Sequence, residues 1–315
     1  MRSSTRLRRW SRRFGIAIAA LVAIVTVAAF VVVLATGGGK PATALYPGPF
    51  VRVEGRLVAY RTWGRTGSPV VLIGGAAEPS WVWHGVAPLV AAAGHRVYAL
   101  DLPPFGYTQR RGRYTMAGWV ALLRGFERRL GIVHPILVGH SLGAGVVAAS
   151  ALAGGRRVAG IVLLDGDALP FGHGLGWLTD LLVYPYVTAA YRLATQSDWL
   201  VGRVLRNAWG PDPPHLDHIF LEQFERPFRV AGTEAALEQL AAHGIPGVSL
   251  AELRSIHVPR AVVWGADDTV DSLTSARRTA AALGVTPAFI SGAGHLSMLA
   301  RPQAVARAVI RLARR

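Results

Sequence analysis

Residues 136–145 read Ile-Leu-Val-Gly-His-Ser-Leu-Gly-Ala-Gly. The apolar residues at the start predict a buried strand, and the small residues that follow Ser141 predict a helix. Glycines stand two positions before and two positions after this serine, where a larger side chain would collide with the backbone of so sharp a turn. A strand that turns abruptly into a helix, with serine at the bend, is typical of a nucleophile elbow. The run therefore predicts a reactive hydroxyl at the edge of a sheet.

Apolar segments alternate with helical patterns on both sides of this elbow. Strands are predicted at Phe50–Val53, Leu57–Arg61, Val70–Ile73, Arg96–Leu100, Ile136–Val138, Val158–Leu164, Ala261–Trp264 and Pro287–Ile290. Helices are predicted at Trp81–Ala93, Met116–Leu130, Leu142–Ala153, Ser272–Leu283 and Pro302–Arg314. Apolar strands separated by helices indicate a mostly parallel sheet that is covered on both faces. We therefore predict an α/β core of eight strands, built from residues 50–167 and 256–315.

The alternation stops between residues 168 and 255. Helical segments are predicted there at Leu178–Ala194, Trp199–Asn207, His215–Phe224 and Thr233–Ala242, and aromatic side chains are frequent. An aromatic, helical insertion after the sixth core strand is predicted to form a lid over the C-terminal edge of the sheet. Most of its aromatic residues are expected to pack the lid on the core, and one or two to face a pocket.

A long apolar segment precedes the core. Residues 14–37 carry no charge, and about 20 apolar residues are enough for a helix to span the hydrocarbon core of a bilayer. Residues 1–13 contain six arginines and no acidic residue, which predicts a cytoplasmic N-terminus with the rest of the chain outside. We therefore predict a basic tail, a single-pass transmembrane anchor and a Gly- and Pro-rich linker at residues 38–49. Secretion after cleavage of a signal segment near Ala44 is the alternative.

Charge and cysteine content limit the classes of partner. The formal net charge of the 315 residues is +16, but seven of the 34 basic residues flank the apolar segment. No nucleic-acid-binding motif accompanies the remaining excess, so a nucleic-acid partner is not expected. Attraction of the basic residues to an anionic membrane surface explains the remaining excess of positive charge better. The chain has no cysteine, which excludes disulfides and lipid attachment through a thiol.

With the elbow, the strand pattern and the insertion in place, residues 50–315 resemble the α/β-hydrolase superfamily. The resemblance is carried by five segments that occur in the family's order. They are Val71–Gly75, Asp101–Gly106, the elbow around Ser141, Val263–Asp268 and Ser291–His295. The likeness is greatest to the capped branch of serine esterases, haloperoxidase-like and epoxide-hydrolase-like proteins. It implies an α/β-hydrolase fold with a helical lid inserted after strand 6.

The family's chain order of serine, acid and histidine falls on Ser141, Asp268 and His295. Each stands just beyond the end of a predicted strand, where open parallel sheets place their ligand sites, so the three are expected to converge. The resemblance implies that the serine attacks, the imidazole takes its proton and the carboxylate orients the imidazole. Epoxide hydrolases and dehalogenases of this fold carry an aspartate at the elbow, so the serine argues against both.

The acid position admits alternatives. The G-x-x-D turn after the seventh strand favours Asp268, but a turn that differs by one residue would present Asp267. Asp165 and Asp167, which follow the sixth strand, occupy the family's other placement for the acid. Asp271 is interpreted as an acid at a helix start, where negative charge is favourable.

An acyl-transfer reaction also needs donors for the developing oxyanion. The resemblance implies the backbone N–H groups of Leu142, at the start of the elbow helix, and of Ala76, in the loop after the third strand. Most relatives have His-Gly at the start of that loop, whereas this chain has Gly74-Gly75. A backbone donor survives this change, but the side chain that stiffens the loop does not. We therefore expect a wider or more mobile oxyanion loop.

These expectations combine into a serine hydrolase that cleaves carboxylic esters through an acyl-enzyme. Thioesterase, amidase, carbon–carbon bond hydrolase and perhydrolase activities on the same triad remain alternatives, because the fold does not determine the reaction. A catalytically inactive hydrolase fold that binds a partner is the alternative from another class. The aromatic lid favours a hydrophobic small-molecule substrate. Neither a metal nor an organic cofactor is implied, and the oligomeric state is left open.

Overall fold

The computed structural model describes residues 20–171 and 186–314, and an eight-stranded sheet forms the centre of this part. The strands are β1 (Phe50–Val53), β2 (Arg56–Trp63), β3 (Pro69–Ile73), β4 (Arg96–Leu100), β5 (Ile136–His140), β6 (Gly160–Leu164), β7 (Arg260–Gly265) and β8 (Ala288–Ile290). Every predicted strand is present, and its ends differ from the prediction by at most two residues.

The strands lie in the order β1-β2-β4-β3-β5-β6-β7-β8. β2 runs antiparallel to β1 and β4, and the pairings from β4 to β8 are all parallel. The register aligns Ile73 of β3 with Gly139 of β5, and His140 with Leu164 of β6. The carboxyl ends of these strands therefore finish at one edge of the sheet, which is where the loops that follow them can meet. The predicted, mostly parallel α/β sheet is confirmed.

Helices cover both faces of this sheet. In the core they are Ala87–Ala92, Met116–Leu130, Leu142–Gly154, Leu273–Leu283, Ser297–Ala300 and Pro302–Ala313, with 3-10 turns at Ser80–Trp83 and Gly155–Arg157. Successive residues of β3 point to opposite faces, as a strand requires. Val71 and Ile73 belong to one hydrophobic cluster, and Val70 and Leu72 belong to the other. The sheet is thus buried on both sides, which explains its nearly continuous apolar strands.

The single helix predicted at Trp81–Ala93 is wrong. The chain forms a 3-10 turn at Ser80–Trp83 and then a separate helix at Ala87–Ala92. Pro88 has no N–H to donate to a preceding turn, so a continuous helix would lose a hydrogen bond there. It stands in the first turn of the second helix instead, where that N–H would have no intrahelical partner.

The insertion after β6 is helical in its described part. Its helices are Tyr186–Thr195, Asp198–Trp209, His218–Glu225, Thr233–His243 and Leu250–Arg254, with a 3-10 turn at Arg226–Arg229. Of the helix predicted at Leu178–Ala194, residues 178–185 lie outside the described residues. Phe220 and Phe224 meet the ring of Trp81 edge-on, with centroids 5.0 and 5.9 Å apart. These contacts pack the insertion against the core, as expected for most of its aromatic residues.

The N-terminal segment is described only from residue 20. Residues 20–36 are helical, whereas the predicted tail at 1–13 and residues 14–19 of the predicted anchor lie outside the described residues. No helix in the described ranges combines the length and the apolar character needed to cross a membrane. The predicted transmembrane helix is therefore not supported by this part of the chain.

Residues 38–49, predicted as a linker, lie against the folded domain. Lys40 donates its backbone N–H to the carbonyl oxygen of Arg229 in the helical insertion at 2.8 Å. One helical turn forms at Ala42–Leu45, and the buried ring of Tyr46 stacks on Tyr107 with 4.9 Å between centroids. These contacts join the segment to the helical insertion and to the core.

Candidate active site

Ser141 lies at the turn between β5 and the helix Leu142–Gly154. Its φ of +50° is rare for a residue other than glycine, and it marks the sharp bend that the sequence predicts. A Cβ on Gly139 would lie 2.2 Å from the carbonyl oxygen of Gly143, which is a severe clash. Glycine at this position therefore lets the helix approach the strand, and the serine reaches a cavity at the sheet edge.

His295 stands between Ser141 and Asp268. Its Nε2 is 3.1 Å from the Oγ of the serine, and its Nδ1 is 2.9 Å from the Oδ2 of the aspartate. The three residues follow β5, β7 and β8, whose ends share one edge of the sheet. When Nδ1–H donates to the carboxylate, Nε2 is free to accept the hydrogen of the serine hydroxyl. The imidazole can then take a proton from the serine while the carboxylate stabilises the resulting cation.

The adjacent acid, Asp267, points elsewhere. It is exposed, and its Oδ2 accepts the backbone N–H of Gly292 at 3.0 Å. The Oδ1 of Asp268 accepts the backbone N–H groups of Val270 at 2.8 Å and Asp271 at 3.0 Å, which leaves Oδ2 for the imidazole. Of the two neighbouring carboxylates, the structure brings Asp268 to the histidine.

The two other candidate acids are held by different partners. Asp165 is fully buried and accepts the backbone N–H of Gly265 at 2.7 Å. Asp167 forms an ion pair with Arg278 at 3.2 Å. In the described part of the chain, neither carboxylate has a hydrogen bond to His295. The structure therefore does not bring either of them to the triad acid position.

A cavity of about 390 Å³ opens beside the serine and the histidine. Its apolar lining includes Leu169, Pro170, Phe171, Ile245 and Val270. Ala76 and Leu142, whose backbone N–H groups are the predicted oxyanion donors, also line it. A substrate carbonyl placed against Ser141 in this cavity would therefore lie near the two segments that are expected to bind the oxyanion.

Two carboxylates give one part of this cavity an acidic character. Asp167 and Asp271 both line it, and Asp271 is half-buried. Burial raises the pKa of Asp271, and the nearby charge of Asp167 raises it further. The helix Leu273–Leu283 is capped by Ser272, so Asp271 lies before the cap and outside the helix. The interpretation of Asp271 as an N-cap or first-turn acid is therefore wrong, and this residue lines the cavity instead.

Glu78 holds the loop after β3. Its Oε2 accepts the backbone N–H of Gly75 at 2.5 Å, and its own N–H donates to the carbonyl oxygen of Gly75 at 3.4 Å. Ala77, between them, has a φ of +63°, which closes the turn. A Cβ on Gly74 would lie 3.0 Å from the Cβ of Glu78, so this glutamate fills the adjacent space. Glu78 therefore gives the loop contacts that Gly74 and Gly75 cannot provide, and the wider or more mobile loop expected from the two glycines stays a prediction.

His140 packs beneath the elbow, as predicted, and is fully buried. Its Nδ1 is 2.8 Å from the Oε2 of Glu78, and its Nε2 is 2.7 Å from the carbonyl oxygen of His295. Burial alone would lower the pKa of His140, but the carboxylates of Glu78 and Asp165 outweigh it and raise this pKa to about 9. The two carboxylates therefore favour the imidazolium form of His140, which precedes the candidate nucleophile in the chain.

The side chains at the cavity do not form a metal centre. Within residues 20–171 and 186–314, no group of three or more His, Cys, Asp and Glu side chains is arranged to hold a metal ion. Hydroxyl, imidazole and carboxylate groups are the reactive groups present at the site. That the chain needs neither a metal nor an organic cofactor stays a prediction.

A model of the alpha/beta hydrolase family matches residues 70–308, which include the elbow, Asp268 and His295. The chain belongs to the α/β-hydrolase family. The match extends from β3 to the final helix and includes the helical insertion. This α/β-hydrolase is therefore a hydrolase by family, as the sequence resemblance implies.

This α/β-hydrolase is 24% identical over 260 residues to the uncharacterized hydrolase YugF of Bacillus subtilis (strain 168), across 80% of this chain and 93% of the relative. A thermophilic esterase from Thermogutta terrifontis has a similar structure, with a TM-score of 0.69 and 23% identity over 85% of this chain and 98% of its own. A bacterial membrane phospholipase A has a TM-score of 0.68 and 22% identity over 96% of this chain and 98% of its own. At these identities the structural likeness establishes the fold alone.

Glu78 is the residue of this α/β-hydrolase site that reasoning from the sequence missed. Histidines aside, it is the only charged residue between Ser68 and Arg96. A lone carboxylate in an apolar segment needs a partner if it is buried, and that is the signal that could have found it. The partner, His140, lies 62 positions away and comes into contact only in the folded chain.

Proposed function

We propose that this protein is a serine hydrolase that cleaves carboxylic esters through an acyl-enzyme intermediate. The observation that carries the proposal is the hydrogen-bonded path from Asp268 through His295 to Ser141, with lengths of 2.9 and 3.1 Å. Carboxylate, imidazole and hydroxyl in this order are the groups that activate a serine for attack on an acyl carbon. Membership of a hydrolase family supports the reaction class, and the ester bond is the finer part of the proposal.

In the acylation step, the Oγ of Ser141 attacks the ester carbonyl carbon while its proton passes to the Nε2 of His295. The carbonyl oxygen becomes an oxyanion, which the N–H groups of Leu142 and Ala76 bind. When the tetrahedral intermediate collapses, the bond to the alcohol oxygen breaks and Nε2 returns the proton to the leaving alcohol. The acyl group is then attached to the serine, and Asp268 has stabilised the imidazolium throughout.

Deacylation repeats these steps with water. The Nε2 of His295 takes a proton from a water molecule as the water oxygen attacks the acyl carbon, and the same N–H groups bind the oxyanion. Collapse of this second intermediate breaks the bond to Ser141, and its Oγ recovers the proton from Nε2. The products are a carboxylic acid and an alcohol, and the enzyme returns to its starting state.

The lining of the cavity supports an apolar, uncharged substrate. Leucine, isoleucine, valine and phenylalanine side chains offer no partner for a charged group, and about 390 Å³ accommodates a small to medium acyl chain. Asp167 and Asp271 would repel a substrate that carries a carboxylate of its own. We therefore place neutral esters ahead of acidic ones.

Other reactions on the same triad are retained as alternatives. Thioester, amide and carbon–carbon bond hydrolysis and perhydrolysis all use an activated serine, so only a comparison of substrates separates them. An inactive hydrolase fold that binds a partner is the alternative from another class. An inactive protein would have no need for Nε2 within 3.1 Å of the serine hydroxyl, and this distance favours catalysis.

We also propose that the enzyme is tethered to the cell membrane, with its N-terminus cytoplasmic and the catalytic domain outside. The support is the uncharged run at 14–37 behind six arginines, together with the likeness to a membrane phospholipase A over 96% of this chain. Secretion after cleavage near Ala44 is the alternative. Extraction of the full chain with alkaline carbonate tests this, because a tethered chain stays in the membrane pellet and a cleaved one is released.

The catalytic proposal is tested by labelling the full chain with a fluorophosphonate probe and by measuring turnover of p-nitrophenyl esters from C2 to C16. Ser141→Ala should lose both labelling and turnover. The matched control is Ser150→Ala, because Ser150 is also buried and its hydroxyl has no hydrogen-bond partner in the described part of the chain. A folded wild-type protein that neither labels nor turns over any ester would overturn the proposal. A phospholipid substrate measured alongside separates phospholipid cleavage from simple ester cleavage.

A further inference from the structure

Glu78 and His140 connect three parts of the site. The Oε2 of Glu78 accepts from the N–H of Gly75 in the oxyanion loop at 2.5 Å and lies 2.8 Å from the Nδ1 of His140 in the elbow. The Nε2 of His140 lies 2.7 Å from the backbone carbonyl oxygen of His295. The His140 side chain is fully buried and Glu78 is nearly so, so bulk water does not compete for these hydrogen bonds. The oxyanion loop, the nucleophile turn and the base are therefore joined by one buried chain of contacts.

The surroundings of His140 favour a protonated ring. The backbone carbonyl oxygen of His295 only accepts, so Nε2 must donate to it. The Oε2 of Glu78 accepts from Gly75, and Nδ1 donates to the same oxygen when the proton shared by the pair is on the imidazole. The charged and titratable groups that face the ring agree with this. They are Glu78 after β3, Asp165 after β6 at 3.7 Å, and the ring of His295 with its centroid 4.9 Å away.

The oxyanion loop packs tightly against the nucleophile. A Cβ on Gly75 would lie 2.8 Å from the Cβ of Ser141, so only a glycine allows the loop to lie this close to the serine. The side chain of Glu78 fills the space beside Gly74, where a Cβ would meet it at 3.0 Å. The buried glutamate therefore stiffens a loop that has no side chain of its own at positions 74 and 75.

We propose that Glu78 is a positioning residue, which acts through the imidazolium of His140 to hold the oxyanion loop and His295 in place relative to Ser141. This inference rests on the proposed function, because it assigns a role within that site. It predicts that the Gly75–Ala76 backbone loses its orientation when the carboxylate is removed. Loss of one oxyanion donor typically lowers kcat by about 10²–10³-fold. Because the apolar cavity lining is untouched, KM should stay within about threefold.

Two substitutions separate the charge of Glu78 from its hydrogen bonds. In Glu78→Ala both bonds are lost, and we expect kcat for a p-nitrophenyl ester to fall by about 10²–10³-fold. In Glu78→Gln the amide oxygen can take the place of Oε2 and still accept from Gly75, but it has neither a charge nor a hydrogen for the Nδ1 of a neutral His140, so we expect a smaller loss of about tenfold or less. The wild-type kcat should decline as the pH rises through about 9, where His140 loses its proton, and this decline should be absent in Glu78→Gln. Glu225→Gln is the control, because Glu225 is a buried carboxylate of the helical insertion.

The ionisation of His140 provides a second readout that does not depend on activity. At pH 8, ¹⁵N chemical shifts of the labelled histidine should show an imidazolium in the wild type and a neutral ring in Glu78→Gln. A neutral ring in the wild type would overturn the inference, as would a Glu78→Ala variant with kcat within threefold of the wild type. If Glu78→Ala does not fold, the inference is tested by the dependence of kcat on pH and by the ¹⁵N chemical shifts of His140 in Glu78→Gln. A wild-type protein that is inert toward esters and fluorophosphonate refutes the proposed function. The ¹⁵N spectrum then still tests whether Glu78 holds His140 in the imidazolium form.

Discussion

Substitution of Asp268 by asparagine would test the geometry of the site at a side chain that three hydrogen bonds hold in place. The Oδ1 of Asp268 accepts the backbone N–H groups of Val270 at 2.8 Å and Asp271 at 3.0 Å, and Oδ2 faces the Nδ1 of His295 at 2.9 Å. An asparagine must keep its carbonyl oxygen on the two backbone N–H groups, because an NH2 group cannot accept their hydrogens. Its NH2 group is then turned toward the imidazole.

This orientation reverses the tautomer of the histidine. The NH2 group donates to Nδ1, so the ring proton moves to Nε2, which is the atom that must accept from Ser141. In trypsin-like proteases, the same change of carboxylate to amide lowers kcat by about 10⁴. At about 1.36 kcal/mol for each tenfold, that equals about 5 kcal/mol of barrier. We expect a loss of about 10³–10⁴-fold in kcat, with KM within about threefold because the cavity is unchanged.

Initial rates with a p-nitrophenyl ester between pH 6 and 9 measure this effect. The matched control is Asp267→Asn, which changes the adjacent carboxylate, whose Oδ2 accepts from Gly292 and not from the histidine. We expect this control to retain kcat within about threefold. The reasoning is refuted if Asp268→Asn keeps more than a tenth of the wild-type kcat, or if Asp267→Asn loses as much as Asp268→Asn does.

Three further predictions concern specificity, packing and pH. Asp271→Asn should raise kcat/KM for p-nitrophenyl hemisuccinate by about tenfold relative to p-nitrophenyl valerate. The reason is that a carboxylate a few ångströms away repels an acidic substrate by a few kcal/mol at most. An unchanged ratio of the two kcat/KM values would contradict a repulsive role for Asp271. Gly139→Ala should lower the free energy of unfolding in urea by about 3 kcal/mol because its Cβ meets a carbonyl oxygen, whereas Gly154→Ala, whose Cβ makes only ordinary contact, should not. Folding raises the pKa of His140 from about 6.5 to about 9, which corresponds to about 3 kcal/mol of folding free energy. This contribution is fully present below pH 6.5 and is lost as the pH rises through 9. Urea unfolding from pH 6 to 10 should show the free energy of unfolding fall over this range, and Glu78→Gln should reduce the fall.

The core can be predicted because its signals are local. The helix Met116–Leu130 has both predicted ends, since Thr115 accepts from the N–H of Gly118 and Gly131 leaves the helix with a φ of +65°. The helix predicted at Trp81–Ala93 fails because apolar spacing alone does not show that the chain breaks and restarts before Pro88. Periodicity indicates which residues are buried, but it does not show where a helix is interrupted.

The site is predictable in part for a similar reason. The resemblance to the α/β-hydrolase family assigns Ser141 and His295 and favours Asp268, and the edge that the ends of parallel strands share explains why these residues converge. Asp267 and Asp268 are the same residue type at adjacent positions, so the sequence does not separate them. Only the rotation of the turn, held by hydrogen bonds to the Oδ1 of Asp268, separates them.

The elbow, the alternation of strands and helices along the chain and most helix ends follow from residues that lie within a few positions of one another, and the sequence by itself determines them. The buried pairs are different. Glu78 meets His140 across 62 positions, and His140 meets the backbone of His295 across 155. No turn or periodicity signal specifies such contacts. They are decided in the tertiary structure, where charged groups removed from water are stable only beside a partner and the packed loops allow one arrangement.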